Sequence, residues 1–158
     1  MKKALIYAFG NPGRQDDALG NELVEAIQLW IEHEGVQNVD CDSNYQLNIE
    51  DAELISHYKT VFFVDASMAA IEDVSFDKVE PSDAKVEFSM HAVSPAFVVD
   101  LCTKMYSNCP EAYLIQIKGY QWEFMEPMTE EAHQNLQKAI SLLKYKILML
   151  NKETIETL

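Results

Sequence analysis

The chain has 158 residues, and 48% of them are apolar, which is enough for the hydrophobic core of one domain. Its 26 acidic and 12 basic side chains give a formal net charge of −14, which argues against nucleic acid or an anionic membrane as a partner. The sequence contains no run of about 18 apolar residues and no visible signal peptide, so neither a membrane span nor secretion is expected.

A short apolar run over residues 4–9 predicts the first strand, and a turn over residues 10–20 follows it. Glycines and a proline bend the backbone in this turn. Asp16 stands where an N-cap is expected and Asp17 falls in the first helical turn, where negative charge is favoured because the first helical N–H groups lack partners. Two adjacent carboxylates at the open end of a buried strand indicate a metal site or a general-base site.

Helix and strand patterns alternate through the first half of the chain. Apolar residues recur on one helical face over 18–34, and Gly35 is placed to end that helix. A continuous apolar run over 60–64 is typical of a strand buried on both faces, and it ends on Asp65. Between them we expect, in order, a more polar strand over 36–41, a loop over 42–47, and a helix that Asn48 caps and that extends to about residue 58.

The second half continues the alternation. Residues 74–80 predict a more exposed strand, and residues 86–88 indicate a further short one. His91 lies on a loop before Ser94 and Pro95, which form a favourable N-cap and N1 pair for the next helix. The later elements are, in order, a buried strand over 112–117, an aromatic and acidic loop over 119–127, and a last helix that Thr129 caps and that frays after Asn151.

Strands that alternate with helices predict an α/β sandwich in which helices cover both faces of a sheet. We expect one domain over residues 1–150, with a tail over 151–158. A monomer is expected, because no helix is apolar on two faces. The three cysteines include no C-x-x-C pair, so the sequence predicts neither a disulfide framework nor a thiolate zinc site, and a reducing cytoplasm is the expected compartment.

Three places in the chain are the candidates for chemistry: the pair Asp16 and Asp17 after the first strand, Asp65 at the end of the central strand, and His91 on the loop before a helix. Side chains that follow the strands of an open α/β sheet converge at one crevice, even when they lie far apart in sequence. Two carboxylates and one imidazole suit a divalent first-row metal and leave positions for water or a substrate group. Each residue also has a simpler interpretation, because the acids are typical cap or turn residues and the histidine is typical of a surface loop.

A dinucleotide-binding turn is the main alternative for the first turn, because residues 8–13 nearly fit G-x-G-x-x-G, with alanine at the first position. Three features argue against it. Pro12 lacks an N–H that would hold phosphate, Asp16 and Asp17 would repel a pyrophosphate, and Asp42 comes late for a ribose contact. A serine nucleophile is not indicated either, because the sequence contains no G-x-S-x-G.

The chain resembles the nickel–iron hydrogenase maturation endopeptidases over roughly residues 4–150. That family opens with a strand and a G-N-x-x-x-x-D-D/E-x-x-G turn, which matches residues 10–20. Its central strand ends in an aspartate followed by a small residue, here Asp65, and a later loop carries H-x-x-G/S, here starting at His91. Each motif alone is modest, but all of them occur in register. Further similar segments are residues 45–48 before the second helix and 123–126 before the last, where Met125 replaces a frequent glycine.

The resemblance implies a three-layer α/β/α sandwich with a mixed, mostly parallel five-stranded sheet. It places the family's metal-contacting positions on Asp17, Asp65 and His91. It implies a metal-dependent, aspartic-type endopeptidase that removes a C-terminal extension from the nickel–iron hydrogenase large-subunit precursor after nickel insertion. The nickel would belong to the substrate precursor rather than to the protease.

Three points stay open at this stage. The protein can instead be a non-catalytic, metal-sensing chaperone that binds the immature hydrogenase. Asp16 can act as a cap, orient Asp17 or serve as a base. Arg14 can contact a carboxylate of the partner or remain a solvated loop residue.

Overall fold

The computed structural model describes residues 2–82 and 93–156. The predicted strand over 86–88 and the candidate residue His91 lie outside these ranges. A short 3-10 turn, Gln15–Ala18, leads into the first helix. Within the described residues the strands and α-helices are, in chain order, β1 (Lys2–Phe9), α1 (Leu19–Glu34), β2 (Val39–Asn44), α2 (Asp51–Ile55), β3 (Tyr58–Ser67), β4 (Val74–Lys78), α3 (Pro95–Met105), β5 (Glu111–Lys118) and α4 (Glu130–Glu156).

The described strands form one five-stranded sheet in the order β2-β1-β3-β5-β4. Strands β2, β1, β3 and β5 are parallel, and β4 pairs antiparallel with β5 at the edge. From β1 the chain proceeds to β2 on one side, and from β3 it proceeds to β4 and β5 on the other. The strand order therefore reverses between β1 and β3, and at such a switch point the loops diverge and leave a crevice beyond the carboxyl ends of the strands.

Helices cover both faces of the sheet, as the sequence predicts. Helices α1 and α4 pack on one face and helices α2 and α3 on the other. Successive residues of β3 serve the two cores, because Phe62 and Val64 join the first cluster while Val61 and Phe63 join the second. The three-layer α/β/α sandwich with a mixed, mostly parallel sheet is therefore confirmed.

Helix α1 lies unusually close to the sheet at its first turn. A Cβ atom at Gly20 would lie 3.1 Å from the Cβ of Ala8 and 3.3 Å from the carbonyl oxygen of Val64. Glycine therefore lets the helix approach β1 and β3 directly. At its other end α1 stops where the sequence predicts, at Gly35, which has a φ of 67°. The close approach at Gly20 fixes the turn that precedes α1 against the strand ends.

The predicted bounds of β2 and α2 are wrong at both ends, because the strand is Val39–Asn44 rather than 36–41 and the helix ends at Ile55 rather than near residue 58. Residues 42–44, predicted as loop, extend β2, because their backbone continues the parallel ladder with β1 as far as the pair Phe9 and Asn44. Helix α2 has only five residues, and Asn48 does not cap it with its side chain. Instead the backbone N–H of Asn48 donates to Oδ2 of Asp51 at 2.8 Å, so the acid closes this turn.

Strand β3 and helix α4 are longer than predicted. Strand β3 continues to Ser67 because β5 pairs with it to that point. Asp65 is therefore the third residue from the end of β3 rather than the residue at its end. Helix α4 continues to Glu156, past Asn151 where the sequence predicts fraying. No helix within residues 2–82 and 93–156 has both the length and the apolar character needed to cross a bilayer.

Two predicted helix caps are confirmed by hydrogen bonds. Ser94 Oγ accepts from the N–H of Phe97 at 3.1 Å, and Pro95 occupies the first position of α3. Thr129 Oγ1 accepts from the N–H of Ala132 at 3.3 Å at the start of α4. Both caps are local and therefore readable from sequence.

Candidate functional site

The turn after β1 folds back, so that Asp17 lies next to the carboxyl end of β1. The N–H of Asn11 donates to Oδ2 of Asp17 at 2.9 Å, which orients the carboxylate. Gly10 has a φ of 153°, and a Cβ atom there would lie 2.3 Å from the carbonyl oxygen of Asp17. Only glycine fits in this position, because any side chain would collide with the backbone of the residue that it must hold.

Asp65 lies directly beside this turn. It pairs with Phe9, the last residue of β1, in the parallel ladder between β1 and β3. These are the two strands at which the sheet order reverses. The structure therefore places Asp17 and Asp65, which are 48 positions apart in the sequence, at the same crevice.

The negative charge of Asp17 acts on the carboxyl group of Asp65. The pKa of Asp65 is raised to about 7, first because the carboxyl group is buried and second because of the negative charge of Asp17. The backbone N–H of Ala66 acts in the opposite direction. When both carboxyl groups are ionised, their negative charges repel each other. A proton on Asp65 or a cation between the two acids relieves this repulsion.

The third predicted ligand, His91, lies outside the described residues. The described histidines, His33, His57 and His133, are all exposed. Among residues 2–82 and 93–156, no group of three His, Cys, Asp or Glu side chains is arranged to hold a metal ion. The described part of the predicted ligand set is therefore the pair of acids.

Asp16 differs sharply from its neighbour and corrects the expectation of a cap. Its side chain is fully buried, and it caps neither the 3-10 turn nor α1. Oδ2 accepts from the N–H groups of Tyr120 at 2.8 Å and Gln121 at 3.1 Å and from the hydroxyl of Thr129 at 2.8 Å. Oδ1 accepts from the N–H of Thr129 at 2.8 Å. A carboxylate so enclosed has no access to a substrate, so it cannot serve as a base.

Gln15 and Arg14 continue the connection between the turn and residues 119–129, which we call the 119–129 loop. Gln15 is buried, donates from Nε2 to Oε1 of Gln121 and accepts from the N–H of Glu123, both at 3.0 Å. Arg14 is half-buried and donates from Nε to the carbonyl oxygen of Trp122 at 2.9 Å. Arg14 is therefore not a solvated loop residue. Turn and loop form one hydrogen-bonded unit around the crevice.

Comparison with known proteins gives a consistent result at the level of structure. No protein-family model and no curated protein matches the sequence. The NiFe hydrogenase maturation protease HycI from Thermococcus kodakarensis matches with a TM-score of 0.69 and 20% identity, over 94% of this chain and 93% of that one. The hydrogenase maturating endopeptidase HybD from E. coli matches with a TM-score of 0.66 and 14% identity, over 89% of each chain.

A third match is the hydrogenase 2 maturation peptidase from Thaumarchaeota archaeon SCGC_AB-539-E09, with a TM-score of 0.66 and 16% identity over 92% of this chain and 98% of that one. This chain has the hydrogenase maturation protease fold. The resemblance read from the sequence motifs is thus confirmed in the fold, over about nine-tenths of the chain.

In this hydrogenase maturation protease fold, the first turn has no free cradle for a phosphate. The N–H groups of the turn are bonded within the protein: Gly10 to the carbonyl of Asn44, Asn11 to Asp17, and Gly13 and Arg14 to Asn11. Pro12 has no N–H. A dinucleotide pyrophosphate needs such groups unpaired and pointing outward, so the hydrogen bonding argues against a dinucleotide site here.

The Asp16 contacts predict a large effect of a conservative substitution. Asp16→Asn replaces one acceptor oxygen with an NH2 group that faces buried donors, so we expect the free energy of unfolding to fall by about 2–4 kcal/mol. Urea denaturation measures this loss, and hydrogen exchange should show faster exchange in the 119–129 loop. The exposed Glu126→Gln, on the same loop, should change stability by less than about 0.5 kcal/mol. Equal effects of the two substitutions would contradict the proposed anchoring.

The Asp65 environment predicts its titration in the metal-free protein. An NMR carboxyl titration should give a midpoint near 7 for Asp65. In Asp17→Asn the pKa of Asp65 should fall, but it should stay above the ordinary value of about 4 because burial is the larger cause. A pKa of Asp65 that Asp17→Asn leaves unchanged would mean that the carboxylates do not share a crevice.

The raised pKa of Asp65 also predicts that the free energy of unfolding depends on pH. Because the pKa of Asp65 is higher in the folded than in the unfolded chain, its contribution to stability decreases as pH rises from about 4 to about 7. In Asp65→Asn this contribution to the slope should disappear.

Proposed function

We propose that this protein is a metal-dependent endopeptidase that removes the C-terminal extension of a nickel–iron hydrogenase large-subunit precursor after nickel insertion. The named proteins that share its fold are hydrogenase maturation proteases. The reaction is assigned to the cytoplasm, where the free thiols of Cys41, Cys102 and Cys109 stay reduced.

The observation that carries the proposal is the meeting of Asp17 and Asp65 at the point where the sheet order reverses. Ligands of open α/β sheets bind at this place. Burial and the negative charge of Asp17 raise the pKa of Asp65, and a cation between the two acids offsets that negative charge. We assign that cation as the nickel ion of the precursor and His91 as its third protein ligand.

The chemistry that follows is hydrolysis of one peptide bond close to the substrate's nickel ion. Asp17 and Asp65 hold the ion, and binding it displaces the proton that Asp65 carries near neutral pH. The ion then polarises the scissile carbonyl or lowers the pKa of a bound water that attacks it. In a second version the three ligands only position the precursor, and a different group activates the water. Asp16 takes no part in either version, because its oxygens are enclosed by hydrogen bonds.

Substitutions at the three ligands should abolish processing without unfolding the chain. Incubation of purified, nickel-loaded precursor with the wild-type protein should shorten the large subunit, which a gel-mobility shift and intact mass reveal. Asp17→Ala, Asp65→Ala and His91→Ala should each lower the rate at least about a hundredfold, the scale seen when a group that stabilises transition-state charge is lost. Asp77→Ala, at an exposed acid of β4, is the matched control and should process normally.

Two outcomes would overturn the proposal. Normal processing by all three ligand variants would exclude the site. A stable complex of wild-type protein and precursor, with no shortening, would instead support the non-catalytic chaperone.

A further inference from the structure

The tip of the 119–129 loop carries two large apolar side chains in solvent. Phe124 is 68% exposed and Met125 is 94% exposed. They belong to the loop that Asp16 and Gln15 bind to the β1 turn, so they lie beside the crevice. Single exposed apolar residues are common on protein surfaces, but adjacent ones next to a candidate site indicate an interaction surface.

Contacts with the β1 turn hold this tip in place. The N–H of Met125 donates to the carbonyl of Gly13 at 3.0 Å. Met125 has a φ of 62°, a left-handed conformation that is uncommon for a non-glycine residue. The guanidinium carbon of Arg14 lies 5.6 Å from the centre of the Phe124 ring. Because the backbone at Met125 and the ring of Phe124 already have contacts within the protein, a partner that covers the tip loses less conformational entropy on binding.

A second exposed ring, that of Tyr45, lies next to the same turn. Tyr45 is 70% exposed and lines a cavity of about 220 Å³ with Gly10 and Pro12 of the turn. Asn21 lines the same cavity, and its buried Oδ1 accepts no hydrogen bond from the part of the chain that the structure describes. Tyr45 and the loop tip therefore both lie next to the turn that holds Asp17, Tyr45 at Gly10 and Pro12 and the tip at Gly13.

The charge around the tip selects the kind of partner. Glu123 and Glu126 flank Phe124 and Met125 and are exposed, and Glu130 and Glu131 follow at the start of α4. The chain as a whole carries 26 acidic against 12 basic side chains. A complementary protein surface would be apolar at its centre and rich in lysine and arginine at its rim.

We propose that Tyr45, Phe124 and Met125 form the docking surface for a folded protein with an apolar patch and a basic rim. Building on the proposed function, this partner is the hydrogenase precursor, and docking places its nickel site over the crevice. The docking surface supplies affinity and partner choice, while the carboxylates act on the bond to be cut. Loss of the tip should therefore weaken binding of the precursor before any chemistry.

The affinity of the nickel-loaded precursor, measured by biolayer interferometry, tests this directly. Phe124→Ala with Met125→Asn removes both apolar groups, and asparagine tolerates the left-handed backbone. We expect the Kd to rise at least about tenfold and the KM for processing to rise in parallel. Tyr145→Ala with Met105→Asn is the matched control, because these side chains are 58% and 64% exposed outside the proposed docking surface, and it should leave both constants unchanged.

A second pair of variants tests the charge. Glu123→Gln with Glu126→Gln should slow association and weaken its dependence on salt. Phe124→Ala alone, which leaves the backbone of Met125 untouched, should raise the Kd in the same direction as the double variant.

The outcomes separate this inference from the proposed function. Unchanged affinity in Phe124→Ala and in the double tip variant would overturn the docking surface even if the precursor is still processed. An equal loss in the tip and control variants would overturn it as well. Tip-dependent binding without any shortening of the precursor would support the docking surface and overturn the endopeptidase.

Discussion

Asp16 buries its carboxylate completely and surrounds it with donors from residues 104 to 113 positions later in the chain. A buried charge is tolerated only when hydrogen bonds replace its lost hydration, and four short bonds do so here. Those bonds fix the 119–129 loop against the turn after β1. The two ends of the loop, at Tyr120 and at Thr129 where α4 starts, are thereby joined to the turn that carries Asp17.

Asp17, the residue next to Asp16, has fewer hydrogen bonds and lies beside another acid. Asp17 receives one backbone hydrogen bond from Asn11 and faces Asp65 across the ends of β1 and β3. Hydrogen bonds thus compensate the buried carboxylate of Asp16. The negative charges of Asp17 and Asp65 are instead balanced when a proton or a cation binds between them. Adjacent residues of the same type have these different environments because the 3-10 turn directs the carboxylate of Asp16 into the protein and leaves that of Asp17 at the crevice.

Local signals made much of the fold readable from the sequence. The apolar stripe and glycine end of α1, the buried run of β3 and the caps at Ser94 and Thr129 depend on residues a few positions apart. The extension of β2 could not be read this way, because pairing with β1 rather than the polar residues 42–44 determines it. The role of Asp16 was hidden for the same reason, since its partners lie beyond residue 118. The proximity of Asp17 and Asp65 could be predicted from the sequence, because residues at the carboxyl ends of neighbouring strands converge in an open α/β sheet.

Anomalous diffraction from crystals soaked in nickel can locate a single cation in the crevice between Asp17 and Asp65. We expect one anomalous peak in contact with both carboxylates, and its loss in crystals of Asp17→Ala. Nickel bound only at other acids, with none between Asp17 and Asp65, would show that the two carboxylates do not form a cation site.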